Sequence, residues 1–400
     1  MHISTSNSYN TALDALMNRQ ATLSSTQEQM TTGKRVNRAS DDPAAAARAE
    51  RAVATEQRTV ANQRGVDASN NAMTLTDSAL GDATELLQQA REAMVASGNG
   101  SYTDAERATA AGQLSDLRQQ LLTIANRTDG SGTYLFGGQG AATTPFTDVP
   151  GGVAYQGTAG QAQAASGEPL PLTTNGATAW MTARTGNGVF ATSAQTSTGT
   201  AWIDGGTVTN PSAVTGATYS VQFSVAAGAT TYSVLMNGAA TAQTNVAFKP
   251  GQAIQIDGLS ATISGQPANG DDFELTPSTP TLSVFDTLDK AIADLKTPGR
   301  SGSQIAQTTS TNLGNLDSVL GQMSSVRAQV GATLNRVDAV TGRLSALKLS
   351  SQTEESNATD LDMTQAISDF SAQQTGYSAA LQAYSMVQKL SLFNYLGAGS

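Results

Sequence analysis

The sequence predicts a mainly helical protein with an inserted β domain: a discontinuous long-helix bundle built from both chain flanks, coiled-coil-forming terminal segments, and a central antiparallel β domain. Three observations predict it. Apolar residues at both ends recur in steps of three and four, the seam spacing of a coiled coil. Charge is split unevenly, because residues 141–280 hold two basic residues, Arg184 and Lys249, and seven acidic ones, leaving 45 of 54 charged side chains to the flanks. The same middle stretch carries both tryptophans and short period-two segments separated by Gly, Asn and Pro.

Taken in order, the first seam runs from Tyr9 through Leu13, Leu16, Gln20, Leu23, Gln27 and Met30. Gly33 ends that helix by supplying the left-handed residue a C-terminal cap requires, and the polar stretch Lys34-Arg35-Val36-Asn37-Arg38 follows. Ser40-Asp41-Asp42-Pro43 starts a second helix. Asp42 caps it, Pro43 fits the first helical position because its missing N–H would have no partner there, and the alanines from Ala44 to Ala47 propagate it. Val66, Met73, Leu80, Leu87 and Met94 then recur every seven residues as one packing edge. A third helix carries Leu114, Leu117, Leu121 and Ile124.

In the C-terminal flank Leu313, Leu316, Leu320, Met323, Val330, Leu334, Val337 and Leu344 keep the same spacing, with Arg327 and Thr341 out of type. A helix over about 303–349 would be roughly 70 Å long. The polar segment 351–360 is expected to detach it from a last helix. That helix's seam runs through Met363, Ile367, Phe370, Gln374, Tyr377, Leu381 and Tyr384, and after one phase slip through Val387, Leu390, Phe393 and Leu396.

The middle reads as half-buried strands, such as Tyr219-Val221-Phe223-Val225 and Ile254-Ile256 in alternation, with Trp180 and Trp202 as core anchors of this region. Inserting a sheet domain into a helical chain requires the flanks to pair with each other. The expected division is 1–40 as an N-terminal assembly helix, 41–147 and 279–355 as the two parts of a helical rod, 148–278 as the inserted β domain, and 356–400 as a C-terminal assembly helix.

Composition excludes several functions. There is no cysteine for a disulfide or thiolate site, and the single histidine, His2, stands at the chain's start, where a solvated role is expected. A net charge of −10 argues against a nucleic-acid partner. No run approaches the ~20 apolar residues of a membrane span, and no basic start leads into an apolar signal core. Asp41 and Asp42 are adjacent at a helix start and point apart, which suits capping and not acid–base work. Asp271-Asp272 follow Asn269-Gly270 in turn composition without the oxygen alternation of a calcium loop. Gly137-Gly138-Gln139-Gly140 lacks the Lys-Ser/Thr of a phosphate loop. The abundant serines lack a histidine base. The expectation is therefore no enzyme, with no catalytic, cofactor or metal residue. Terminal seams with no globular segment beyond them suggest a subunit completed by copies of itself or by another protein.

The residues also resemble a family. Ile3-Ser4-Thr5 with Tyr9, Met30-Thr31-Thr32-Gly33-Lys34-Arg35-Val36, Ser40-Asp41-Asp42-Pro43, and Tyr134-Leu135-Phe136-Gly137-Gly138 closely resemble bacterial flagellin-type proteins. Among these the match is best to the flagellar hook-associated proteins of the hook-filament junction. On the C-terminal side Arg327, Gly331-Ala332 and Asn335-Arg336-Val337 are similar to the family's helix motif, and Ser391-Leu392-Phe393-Asn394-Tyr395-Leu396 to the junction-protein ending. The likeness weakens in the middle, at Tyr155-Gln156-Gly157, Gly188-Val189-Phe190 and Gly270-Asp271-Asp272-Phe273. Ala39 departs from a proline common at that place in junction proteins, which affects loop stiffness and not class.

The resemblance implies a structural adaptor that joins the hook, through another hook-associated protein, to the flagellin filament. It implies terminal segments that are mobile in the free subunit and fold into an inner tube as subunits stack. Axial assembly is carried over to Ile3, Tyr9, Leu13, Leu16, Leu23, Met30, Met363, Ile367, Phe370, Tyr377, Leu381, Tyr384, Val387, Leu390, Phe393 and Leu396. Implied partners are copies of itself in a ring, the hook-side hook-associated protein, flagellin, and a cytoplasmic export chaperone at the C-terminal region. Export through the flagellar type III apparatus accounts for the expected lack of a cleavable signal. The alternatives are flagellin itself, which shares the seams and Asn335-Arg336, and, more distantly, a secreted adhesin or binding module.

Overall fold

The computed structural model describes residues 5–140 and 143–397, and the side chains of residues 9–140 and 143–386. In chain order the elements are α1 (Thr5–Thr32), α2 (Pro43–Ser97), α3 (Asp104–Ala125), β1 (Phe146–Val149), β2 (Gly152–Tyr155) and α4 (Gly176–Trp180). Next come β3 (Phe190–Thr196), β4 (Trp202–Ile203), β5 (Thr207–Val208), β6 (Tyr219–Ala226), β7 (Ala229–Met236), β8 (Ala239–Ala240) and β9 (Val246–Ala247). Then follow β10 (Ala253–Ile256), β11 (Leu259–Ser264), β12 (Asp272–Pro277), α5 (Val284–Lys296), α6 (Gly302–Thr359) and α7 (Met363–Gly397). The chain forms two compact units, one of residues 1–63 with 341–400 and one of residues 64–340.

In the first unit α1 packs against α7. Gly33, at φ +71°, takes the left-handed conformation that closes α1. Asp42 caps α2, its Oδ1 accepting from the Ala45 N–H at 3.0 Å, with Pro43 at the first helical position. Asp362 does the same for α7, accepting from the N–H groups of Thr364 and Gln365. The polar segment 351–360 does not detach the last helix as its composition suggested. Its Gln, Glu, Ser and Ala residues contain no Gly or Pro to stop a helix, so α6 continues to Thr359 and the break falls at Asp360–Asp362.

The second unit holds two hydrophobic cores. The helical core takes Met73, Leu80, Leu87 and Met94 of α2, Leu114 and Leu121 of α3, Phe285 and Leu288 of α5, and Leu316 and Met323 of α6. Every member of the seven-residue repeat from Val66 to Met94 is buried. Thr103 starts α3 with a complete capping box, its hydroxyl accepting from the Glu106 N–H while the Glu106 carboxylate accepts from the Thr103 N–H at 2.7 Å.

The sheet core comprises Phe190, Ile203, Tyr219, Val221, Phe223, Ile254, Ile256, Ile263, Phe273 and Leu275. It lies between two antiparallel sheets, one ordered β3-β12-β6-β7-β8 with β9 also on β7, and one ordered β10-β11-β4 with β5 also on β11. Val225 is the exception in its alternating segment and stays exposed near the β6–β7 turn.

The two tryptophans part company. Trp180 is not an anchor of the sheets: it is fully buried in the helical core, stacked on Phe285 with ring centroids 5.8 Å apart and met edge-on by Phe136 at 5.4 Å. Trp202, on β4, is only half-buried. The β1–β2 hairpin also packs into the helical core through Phe146 and Val153. Phe136, Phe146 and Trp180 with Phe285 of α5 make one aromatic cluster there, a large apolar area removed from water. The backbone leaves this core at Ala183 and returns at Leu282, whose N–H and C=O groups exchange two hydrogen bonds of 3.0 and 2.9 Å.

Candidate assembly surface

The paired helices α1 and α7 present the seam residues. Tyr9 and Tyr384 meet with ring centroids 5.6 Å apart. Leu16 is 8% exposed. Leu23, Met30, Phe370, Tyr377 and Tyr384 are half-buried, whereas Tyr9, Leu13, Met363, Ile367 and Leu381 remain exposed. Ile3 lies outside the described residues, and the side chains of Val387, Leu390, Phe393 and Leu396 lie outside the described side chains, although α7 continues past them.

Sequence spacing found Leu16 but missed two further buried residues of these helices. Ala366 and Thr26 are buried, and the Thr26 hydroxyl donates to Gln373 Oε1 at 2.9 Å. Small and polar residues let the backbones approach, and one partner helix cannot cover the larger apolar side chains. Met17 and Met386, 54% and 62% exposed, extend the uncovered set. Their signal in the sequence is proximity to the seam, at one position after Leu16 and one before Val387.

The motif positions have separate structural roles. Asp41 Oδ2 accepts from the N–H groups of Asn37 at 3.1 Å and Arg38 at 2.8 Å, and the Ser40 hydroxyl reaches Asp41 Oδ1 at 3.4 Å. Asp42 accepts from the Arg35 guanidinium at 3.1 Å, and its carboxyl is held below the usual range, chiefly by the Ala45 N–H and then by Arg35. Lys34 stands 4.0 Å from Glu355.

In the second unit Phe136 and Gly137 are buried, and Gly138 turns at φ +72° where a Cβ would stand 1.7 Å from the Thr158 carbonyl oxygen. Arg327 grips Asp77 with two bonds of 2.8 and 3.2 Å. Arg336 donates to the Pro169 carbonyl, and Asn335 is exposed.

Chemistry is sparse elsewhere. Burial alone would raise the pKa of Asp271, but its carboxylate accepts from the N–H groups of Thr198, Gly199 and Ala268 and from the Thr198 hydroxyl, and these bonds hold it below the usual range. It is a turn anchor, as its neighbours suggested. Among the described residues no group of three or more His, Cys, Asp or Glu side chains could hold a metal ion, and no helix is long and apolar enough to cross a membrane.

The bacterial flagellin N-terminal helical region matches residues 3–141, and the bacterial flagellin C-terminal helical region matches residues 313–396. The crystal structure of Xanthomonas campestris FlgL is 30% identical with a TM-score of 0.68, the likeness covering 77% of this chain and 99% of that one. The chain belongs to the FlgL family of flagellin-type proteins. Another FlgL-family structure, flagellar hook-associated protein-3 from Legionella pneumophila, is 27% identical with a TM-score of 0.70, covering 76% of this chain and 96% of that one. Flagellar hook-associated protein 3 of Salmonella typhimurium is 39% identical over 155 residues, 38% of this chain and 48% of that protein. This chain thus spans about half the length of that curated FlgL-family relative.

Proposed function

We propose that this protein is the structural adaptor of the hook-filament junction, and that its terminal helices complete their folding as it assembles. One observation carries the reading: after α1 and α7 have packed together, Tyr9, Leu13, Met363, Ile367 and Leu381 still face solvent. Apolar residues spaced for a seam and left uncovered are the surface that neighbouring helices bury. Further support comes from the names of the relatives, which are hook-associated and junction proteins.

Assembly is assigned to the sixteen seam residues named above, from Ile3 to Leu396. The partners are copies of this chain in a ring, the hook-side hook-associated protein below and flagellin above. An export chaperone covers the C-terminal region before passage through the flagellar apparatus. The flanking helices carry the adaptor role, and the β domain faces outward and adds surface contacts. The protein catalyses no reaction.

The test is seeded polymerisation viewed by electron microscopy, with purified protein offered to filament fragments and, separately, to hooks bearing the first hook-associated protein. Short caps on hooks that then accept flagellin are the expected result. Long filaments of this protein alone would identify a filament subunit instead, and attachment to neither seed would overturn the assembly reading.

A further inference from the structure

The α1–α2 and α6–α7 connections lie side by side in the first unit. Lys34 and Asp360 pair in antiparallel fashion. The Arg35 N–H donates to the Thr359 carbonyl at 2.7 Å, and the Leu361 N–H donates to the Gly33 carbonyl at 3.0 Å. Beneath them Val36 is buried with Ala45, Ala49 and Ala358.

Arg35 ties this ribbon to three helix ends. Its Nη2 donates to the Ala358 carbonyl at 3.0 Å, one of the last carbonyls of α6, which lack helical donors. Its Nη1 donates at 3.1 Å to Asp42, the N-cap of α2. Its own carbonyl accepts from Gln29 Nε2 of α1 at 2.9 Å. The cation thus sits at the negative end of the α6 dipole, and its carboxylate partner at the positive end of the α2 dipole. The neighbouring Lys34–Glu355 pair is long and solvated and adds little.

We infer that the two connections act as one two-stranded hinge, latched by Arg35, through which α1 and α7 reorient together and not independently. Swinging α1 alone would break the backbone bonds between the connections, a longer one of 3.4 Å from the Val36 N–H to the Thr359 carbonyl included, and strip the guanidinium from the end of α6. Moving both helices with the ribbon intact breaks none of these. Arg35 is therefore a positioning residue: it couples the two ends of the chain without belonging to the apolar seam.

Hydrogen exchange on the full-length chain tests this. In the wild type, the amides of Arg35 and Leu361 are expected to be protected to similar extents. Arg35→Ala should speed exchange of the Leu361 amide, on the opposite connection, by about tenfold or more. Arg35→Lys should fall between, because a lysine head keeps the charge but cannot form the fork. Unchanged Leu361 exchange in Arg35→Ala would mean two independent links and overturn the inference, as would free-chain exchange at both amides in the wild type. A second measurement does not depend on how Arg35→Ala folds. The chain has no cysteine, so a Lys34→Cys/Asp360→Cys pair is its only thiol pair. Mild oxidation should close it with helicity retained, and failure to cross-link would show that the connections are not paired.

Discussion

Arg118 is a buried cation on α3 that holds two elements at once, donating to Asp148 of β1 at 2.7 and 2.9 Å and to Asp289 of α5 at 3.0 Å. It holds the Asp148 carboxyl below the usual range. Asp286, beside them, moves the other way, raised first by burial and then by the charge of Asp289, with Arg118 only partly offsetting both. The two signs give opposite pH effects. Asp148 contributes stability that is present above its unfolded pKa and is lost as pH falls through its folded one. Asp286 carries a cost once ionised, and that cost disappears as pH falls below its raised value. Asp286→Asn should therefore raise the thermal midpoint near pH 7 and lose that advantage by about pH 4. Asp148→Asn should lower the midpoint near pH 7, and calorimetry across that range checks both. Trp180→Ala should cost about 3–5 kcal/mol, the usual range for removing a buried aromatic, measured by denaturant unfolding. At this scale Asp42 and Gly33 were legible because capping and left-handed turns depend on local chemistry. Trp180 was not, because its ring is claimed by residues over a hundred positions away in sequence, such as Phe285.

At the scale of elements, periodicity located the long helices and the buried edges of the second unit. It could not say which seam residues the two terminal helices would hide from each other, because that depends on cross-helix contacts such as the Thr26–Gln373 hydrogen bond. The end of α6 was also illegible, since a polar segment without Gly or Pro supports a helix or a loop until tertiary contacts decide. Replacing both Leu381 and Tyr384 with Asp should leave the second unit folded, with its cooperative thermal transition retained, yet abolish filament attachment. Retained filament attachment in that variant would count against the seam. Asp42→Ala should lower stability through loss of the α2 cap and of the Arg35 contact, and should loosen the first turn of that helix in hydrogen exchange.

For the whole molecule, the uneven charge announced an insertion but not its edges. Those edges lie in packing, where the hairpin and Trp180 join the helical core and the chain departs only at Ala183. Because Ala183 and Leu282 are hydrogen-bonded neighbours, the sheets can be removed where the backbone already meets. Replacing residues 186–278 with a two-residue Asn-Gly turn should give a soluble helical protein with a cooperative unfolding transition. Removing residues 148–275 should not, because that deletion takes Trp180 and Val153 from the core, and the two circular dichroism melts distinguish these outcomes. The separation of the two tryptophans also gives the chain a built-in pair of optical probes. Trp180 is fully buried in an aromatic cluster, whereas Trp202 lies half-buried on a β strand. Burial alone should set their emission apart, bluer for the first and redder for the second, so fluorescence during unfolding is expected to follow the helical body and the sheets separately in one unlabelled sample.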